Sequence, residues 1–379
     1  MKISDRTIGE GHPVFIIAEI GQNHQGSLEI AKEMILKAKE IGVDCVKFQK
    51  SCLNSKFTLE ALKRPYTGYN SWGETYGEHK AYLEFSVDDY RELQQFCFEK
   101  EIFFSASAMD PVSLSHLLDL KLPFVKLGSG DANNIPLLRE SIASNIPLIV
   151  STGMQTWSQV QWIYRNLRNQ SGAILHCVSA YPTPPSEALL RLIPIYMERF
   201  PEVVVGYSGH EMGIQLTVAS VLLGACIVER HFTLDKSSKG TDHKASLNPE
   251  EFAKLVRYIR TIEQSEINCE VQRIPDVLSE ILDKEDYDRE ELLLALQSTS
   301  PEDRKLLKSE IACHDKLGKS LVFLKNISEG SILKEEHVGV KVSQPHGLSP
   351  TLYDRVIGKK VIRRCCKDEP ISTGDLVDM

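Results

Sequence analysis

The chain has 379 residues, 42% hydrophobic and 25% charged, with a formal net charge of −8, which suits one large catalytic domain and a small one. The absence of a Lys/Arg-rich run or basic helix face argues against nucleic acid as a partner, and no apolar stretch approaches the ~20 residues of a membrane-spanning helix. The opening MKISDRTIGEGHPV lacks an apolar signal core, and nine cysteines without paired spacing fit a reducing compartment, so a cytoplasmic protein is expected.

Taken in chain order, eight short runs rich in Val, Ile and Phe end in polar residues. They begin with VFIIAE ending at Glu19, CVKFQ with Lys47 and Gln49, IFFSA running into Ser107, and FVKL with Lys126 and then Ser129. PLIVS ends at Ser151, AILHCV leads to Ser179 and Tyr181, VVVGY leads to Ser208 and His210, and CIVERH ends at His231. Helical periodicity separates the runs, as in LEIAKEMILKAKEIG after the first. Continuous apolar strands alternating with helices describe a parallel sheet buried on both faces, and eight of them predict a (β/α)8 TIM barrel. All C-terminal strand ends then face one mouth. Glu19, Lys47, Lys126, Ser129, Ser151, Ser208, His210 and His231 are therefore expected to converge, though they are spread over more than two hundred residues.

The barrel domain is expected over residues 1–265. From 266 to 310 the chain becomes charged and only partly periodic (VLSEILDKE, REELLLALQ), which reads as a partly helical linker whose acidic run is solvated. From 311 to 379 the texture is short strands and turns, a small all-β domain. Its halves resemble each other, LGKSLVFLKNISEGSIL from Leu317 and IGKKVIRRCCKDEPIST from Ile357, forty positions apart.

Lys47 and Lys126 sit inside otherwise apolar strands, where an ammonium is costly unless paired. One reading is a Lys–Glu pair lying across the barrel. The other is a pair of cations for an anionic substrate, with Ser129, Ser151 and Ser208 as hydroxyl donors. His210 and His231 follow consecutive strands at the same mouth, so their imidazoles can share one ion, with positions left open for water and a substrate carbonyl. No HxH, HExxH or cysteine cluster accompanies them, which argues against a closed zinc site. His176, within strand six, reads as structural. Glu19 and Asp131 could each handle a proton or a sugar hydroxyl, or merely pair with a lysine.

The motifs AEIGQNHQGSL at 18–28, VKFQK at 46–50, FVKLGSGDANN at 124–134 and STGMQ at 151–155 stand in this order. SAYPTPP at 179–185, GYSGHEMG at 206–213, ERHFTLDK at 229–236 and KGTDHKASLNP at 239–249 follow. Together they resemble the sialic acid synthase family, which condenses phosphoenolpyruvate with an N-acylmannosamine. The C-terminal part resembles the antifreeze-like (SAF, β-clip) domain attached to those synthases. The stretch RPYTGYNSWGETYGEHKAYLEFS at 64–86 looks like the animal branch, whose members use the sugar 6-phosphate and form the 9-phosphate.

The resemblance implies that His210 and His231 bind a divalent metal, manganese or magnesium. It implies that Lys47, Lys126, Ser129, Ser151 and Ser208 hold phosphoenolpyruvate, with Glu19 and Gln49 at the aldehyde end of the sugar. Ser179, Tyr181 and Asp242 would meet the sugar or metal-bound water, and Asp131 would act as acid or base. It also implies a homodimer in which each antifreeze-like domain caps its partner's barrel.

Where bacterial members have Glu after the GSG turn, Asn before the AYP motif and an acyl-reading Arg, this chain has Asp131, Ser179 and Val342. Mannose 6-phosphate is thus a further candidate substrate. Arg64, with His79 or Lys80, is expected to clamp the sugar phosphate from the loop after strand two. A (β/α)8 metal hydrolase, a free-sugar synthase and a carbohydrate-binding protein with an inactive barrel are the competing readings.

Overall fold

A computed structural model describes residues 1–265 and 267–377; Glu266, where the expected linker begins, and the last two residues of the expected C-terminal domain lie outside the described residues. Eight parallel strands close into a barrel in sequence order, the eighth pairing with the first. We number them β1 (Phe15–Gly21), β2 (Cys45–Lys50), β3 (Phe103–Ala108), β4 (Val125–Leu127), β5 (Leu148–Ser151), β6 (Gly172–Cys177), β7 (Val204–Gly209) and β8 (Ile227–His231). The alternation of apolar runs and helices thus gives the predicted TIM barrel.

Period-two alternation decides what each strand sends inward. On β1, Ile16, Ala18 and Ile20 face the helices in the main core, while Phe15 and Ile17 point into the barrel. There they meet Cys45, Phe124, Ile149, Ala173, Leu175 and Ile227, an apolar plug that closes the N-terminal end. One inward step further along the strands, the plug gives way to Glu19, Lys47, Lys126, Ser151, Ser208 and Glu229. The same side-chain period that fills the barrel floor therefore stacks the polar residues above it.

Local signals set the helices. Ser27 caps helix Leu28–Ile41 by accepting from Ile30 N, and Gly42 ends it with φ at 90°. Helix Pro249–Gln264, the last of the barrel, starts with a capping box between Asn248 and Glu251. Arg260 donates to Asp44 and to the carbonyl of Val14, which ties this helix to the start of β1.

Residues 267–310 are more than a tether. Ile274, Leu278, Leu282, Leu292 and Ala295 belong to the main core, so their short helices cover the barrel, while Glu280, Asp283 and Glu285 stay in solvent. Beyond helix Ile311–Leu317, β9 (Lys319–Phe323) and β10 (Val338–Val342) pair antiparallel. Isolated bridges tie Val322 to Pro370, Ile327 to Cys365 and Ile332 to Lys360, around a core of its own.

This small domain rests on the mouth of the barrel of its own chain: Lys341 donates to Asn54 O at 2.6 Å, and Phe57 bridges to Val342. Within the described chain these contacts seat the small domain over the barrel mouth.

All nine cysteines are free thiols, and Cys226, expected inside a strand, sits half-buried just before β8. Among the described residues no helix is long and apolar enough to cross a membrane.

Candidate active site

The mouth holds a cavity of about 450 Å³. Lining it are Glu19, Lys47, Gln49, Lys126, Ser129, Asp131, Ser151, Ser179, Tyr181, Ser208, His210, His231 and Asp242. Of the residues expected at the site, Arg64 and its expected partner His79 lie outside this lining. Six lysines face four carboxylates around the cavity, so a chain of net charge −8 encloses a basic chamber.

At its floor Lys47 Nζ donates to Ser107 Oγ at 2.8 Å and pairs with Glu19, while Lys126 Nζ donates to Ser151 Oγ at 2.6 Å. Glu229 links the two cations, 3.8 Å from Lys47 and 3.5 Å from Lys126, and accepts from Ser208 Oγ. The lysines thus pair with carboxylates and also line the cavity.

Burial disfavours the Lys47 ammonium, but Glu19 and Glu229 more than offset it and hold its pKa above the ordinary value. For Lys126 burial wins over Glu229, and its pKa falls. Glu19 is pushed up by burial against the pull of Lys47. Glu229, although buried, is drawn down to about 2 by Lys126 and Lys47. The floor therefore keeps one firm anion between its cations and one carboxyl ready to hold a proton.

Two imidazoles stand above, with ring centroids 5.5 Å apart. The Nδ1–H of His210 donates to Val178 O at 2.8 Å, which fixes the ring and leaves Nε2 free. Burial lowers the basicity of His210, and Cys177 and the Val178 carbonyl outweigh it. His231 is held to about 4 by burial against Asp242, so its ring is neutral, and its buried Nδ1 has no hydrogen-bond partner. Tyr181 packs on His210 at 4.1 Å between centroids.

A fixed imidazole beside a neutral one with an orphaned nitrogen fits a divalent ion, the remaining positions being left to oxygen ligands. His24 stacks on Phe85, His176 bonds Ala188 O and His243 bonds Thr233, so these three are structural.

The loops of the mouth are held from behind. Arg230, pointing away from the barrel interior, donates to the side chain and carbonyl of Glu211 and so orders the turn that carries His210. Glu310, fully buried, accepts from Met154 N at 2.7 Å and Ser179 N at 3.0 Å. The segment expected to be a partly helical linker thus fixes two loops of the site and adds Ser309 to its lining. From the C-terminal domain Lys319 pairs with Asp131 and donates to Met109 O.

Arg64 does not reach the chamber because its guanidinium lies over the Tyr76 ring, 3.9 Å from the centroid. His79 is buried among Tyr66, Trp72 and Tyr76, with burial bringing its pKa to about 4, so it brings no charge. Val342 is buried with Phe57, Ala61 and Tyr76 and is not part of the lining.

The sequence reading missed Glu229, Lys56, Lys316 and Lys319. A signal for Glu229 was present. It stands two residues before His231 on one strand and must therefore face the same way.

Buried cations, hydroxyl donors and an imidazole pair at a barrel's C-terminal mouth define an enzyme for small anionic substrates. The chain belongs to the NeuB family, whose profile matches residues 34–270, and a SAF domain profile matches residues 318–377.

It is 48% identical to the N-acetylneuraminate-9-phosphate synthase of Drosophila melanogaster, over 96% of this chain and 96% of that protein. The enzyme of the same name from Homo sapiens is 46% identical, over 98% and 95%. Among solved structures, the spore coat polysaccharide biosynthesis protein SpsE of Bacillus subtilis superposes with a TM-score of 0.77 at 28% identity, covering 100% of this chain and 99% of that one.

Proposed function

We propose that the protein condenses phosphoenolpyruvate with N-acetylmannosamine 6-phosphate, giving N-acetylneuraminate 9-phosphate and inorganic phosphate. The observation that carries this reading is the floor: two buried lysines and the hydroxyls of Ser107, Ser151 and Ser208, in a chain nearly half identical to synthases of that name. Phosphoenolpyruvate brings a phosphate and a carboxylate, and Lys47 and Lys126 answer them as point charges, with serine hydroxyls giving direction.

C3 of the enolpyruvate attacks the sugar aldehyde carbon, forming the new C–C bond, and the aldehyde oxygen takes a proton. Glu19, held between Lys47 and Gln49 at the aldehyde end, is the group placed to supply that proton. Water adds at C2, the C2–O bond breaks and phosphate leaves. His210 and His231 would hold manganese or magnesium, which would supply Lewis-acid polarisation of the aldehyde. Tyr181 and Asp242 bound the sugar, and Asp131, neutralised by Lys319, positions Asn134 at 2.9 Å. The protein works in the cytoplasm as a homodimer.

The test is phosphate release from phosphoenolpyruvate with and without the sugar phosphate, before and after chelation. Release that needs both the sugar phosphate and restored manganese supports the reading. Release that persists without the sugar identifies a phosphatase or hydrolase and overturns it.

A further inference from the structure

The chamber has a second cationic group, above and to one side of the floor, that the chemistry at the aldehyde does not use. Lys56 ends the short helix Leu53–Lys56 after β2, Lys80 lies in helix Tyr76–Leu83, and Lys316 comes from helix Ile311–Leu317 over the mouth. All three line the chamber.

Among the described residues none of them has a carboxylate partner. Lys56 Nζ sits 2.9 Å from the sulfur of Met109, Lys80 donates to Gln22 Oε1 at 2.7 Å, and Lys316 lies 5.8 Å from the Tyr66 ring centroid. A buried or half-buried ammonium left with a thioether, an amide and a ring face is under-satisfied. Beside them the Tyr76 hydroxyl, on a fully buried residue that lines the chamber, has no hydrogen-bond partner. Three lysines without a carboxylate in ion-pair reach, Asp242 acting on Lys80 and Lys316 only from farther off, and a buried hydroxyl with only Arg64 beside it describe a site for a dianionic oxyanion.

We propose that Lys56, Lys80 and Lys316, with the Tyr76 hydroxyl, bind the phosphate of the sugar substrate, and that Arg64 only braces the Tyr76 ring from outside. The proposal rests on the reading that the second substrate is a phosphosugar. Its geometry suits that substrate, because the phosphorylated carbon is the end of the sugar farthest from the aldehyde. That end must be met by the rim of the mouth rather than by the barrel floor. Lys316 also gives the cap a part in binding, since it reaches the pocket from the segment between linker and C-terminal domain.

The experiment compares KM and kcat for N-acetylmannosamine 6-phosphate, N-acetylmannosamine and phosphoenolpyruvate in Lys80→Gln, Lys316→Gln, Tyr76→Phe and Arg64→Gln. Lys56→Met, which suits the sulfur beside it, completes the set and avoids stranding a polar group if Lys56→Gln misfolds. Each lysine variant is expected to raise the phosphosugar KM about ten- to a hundred-fold, with a smaller rise for Tyr76→Phe. The free-sugar reaction and the phosphoenolpyruvate KM stay close to the parent's.

Equal loss with both sugars, or a selective loss in Arg64→Gln that the lysine variants do not share, overturns the proposal while the phosphosugar reading stands. A parent enzyme that uses both sugars with equal efficiency overturns that reading, and the proposal with it.

Discussion

Lys47 and Lys126 stay usable for an incoming anion because Glu229 shares itself between them. Neither lysine is locked in a dedicated close pair with it, whereas Glu19 is bound tightly to Lys47 alone. Removing Lys126 leaves Glu229 with only the more distant Lys47 and removes a proposed phosphoenolpyruvate contact together. Lys126→Ala should therefore weaken phosphoenolpyruvate by about 2–5 kcal/mol, tens to thousands of fold, and affect the sugar far less. Steady-state KM values for the two substrates check this, and equal effects on both would contradict it.

At the imidazole pair, His210→Ala and His231→Ala should each abolish turnover and weaken manganese binding in a calorimetric titration. An ion with two protein ligands cannot spare one. Retained manganese affinity in either variant would remove the metal from the account.

The rim lysine gives a pH signature. Burial, with Lys80 and Lys319 nearby, holds Lys56 down to about 7, while Asp131 and Glu84 pull the other way. Below that value the ammonium forms and meets the phosphate, which is a dianion above roughly pH 6. The phosphosugar KM should thus rise as pH climbs past about 7, and this rise should disappear in Lys56→Met. A pH profile identical in parent and variant would exclude Lys56 from the site.

At the scale of elements, the barrel was legible because buried parallel strands write themselves as unbroken apolar runs, and their ends placed thirteen of the expected site residues around one chamber. The period within each strand carried more than was drawn from it. Ile227, Glu229 and His231 alternate inward, so the third carboxylate of the floor could have been read beside the histidine.

The loop after β2 was harder. Its residues are placed by aromatic packing among Tyr66, Trp72, Tyr76 and His79, which sends Arg64 onto a ring and turns Lys80 inward; no local pattern encodes that. The linker misled for a related reason. Its composition reads as solvated, yet one buried carboxylate in it satisfies the backbone N–H groups of Met154, Ser179 and Leu307. Glu310→Gln keeps the size and loses the charge-assisted bonds. It should cost about 1–3 kcal/mol in urea unfolding and lower kcat by loosening both loops. An unchanged midpoint and rate would show that the loops hold themselves.

For the whole molecule, the chamber is built from one chain: barrel, linker and cap all contribute to its lining. Activity per chain should then be constant as the protein is diluted through any dimer–monomer transition followed by sedimentation. A fall in specific activity that tracks dissociation would show that the cap works across the interface, as the family resemblance first suggested. Only contacts distant in sequence, such as Lys319 with Asp131 and Lys341 with Asn54, make the cap's placement visible, and these lie beyond any reading of local pattern.

The central claim is that a basic chamber joins phosphoenolpyruvate to a phosphosugar, and the mass of the product tests it most directly. Purified protein, manganese, phosphoenolpyruvate and N-acetylmannosamine 6-phosphate should yield N-acetylneuraminate 9-phosphate with one inorganic phosphate released per product. Recovery of both substrates unchanged, or of pyruvate and phosphate without a new carbon–carbon bond, would contradict the account.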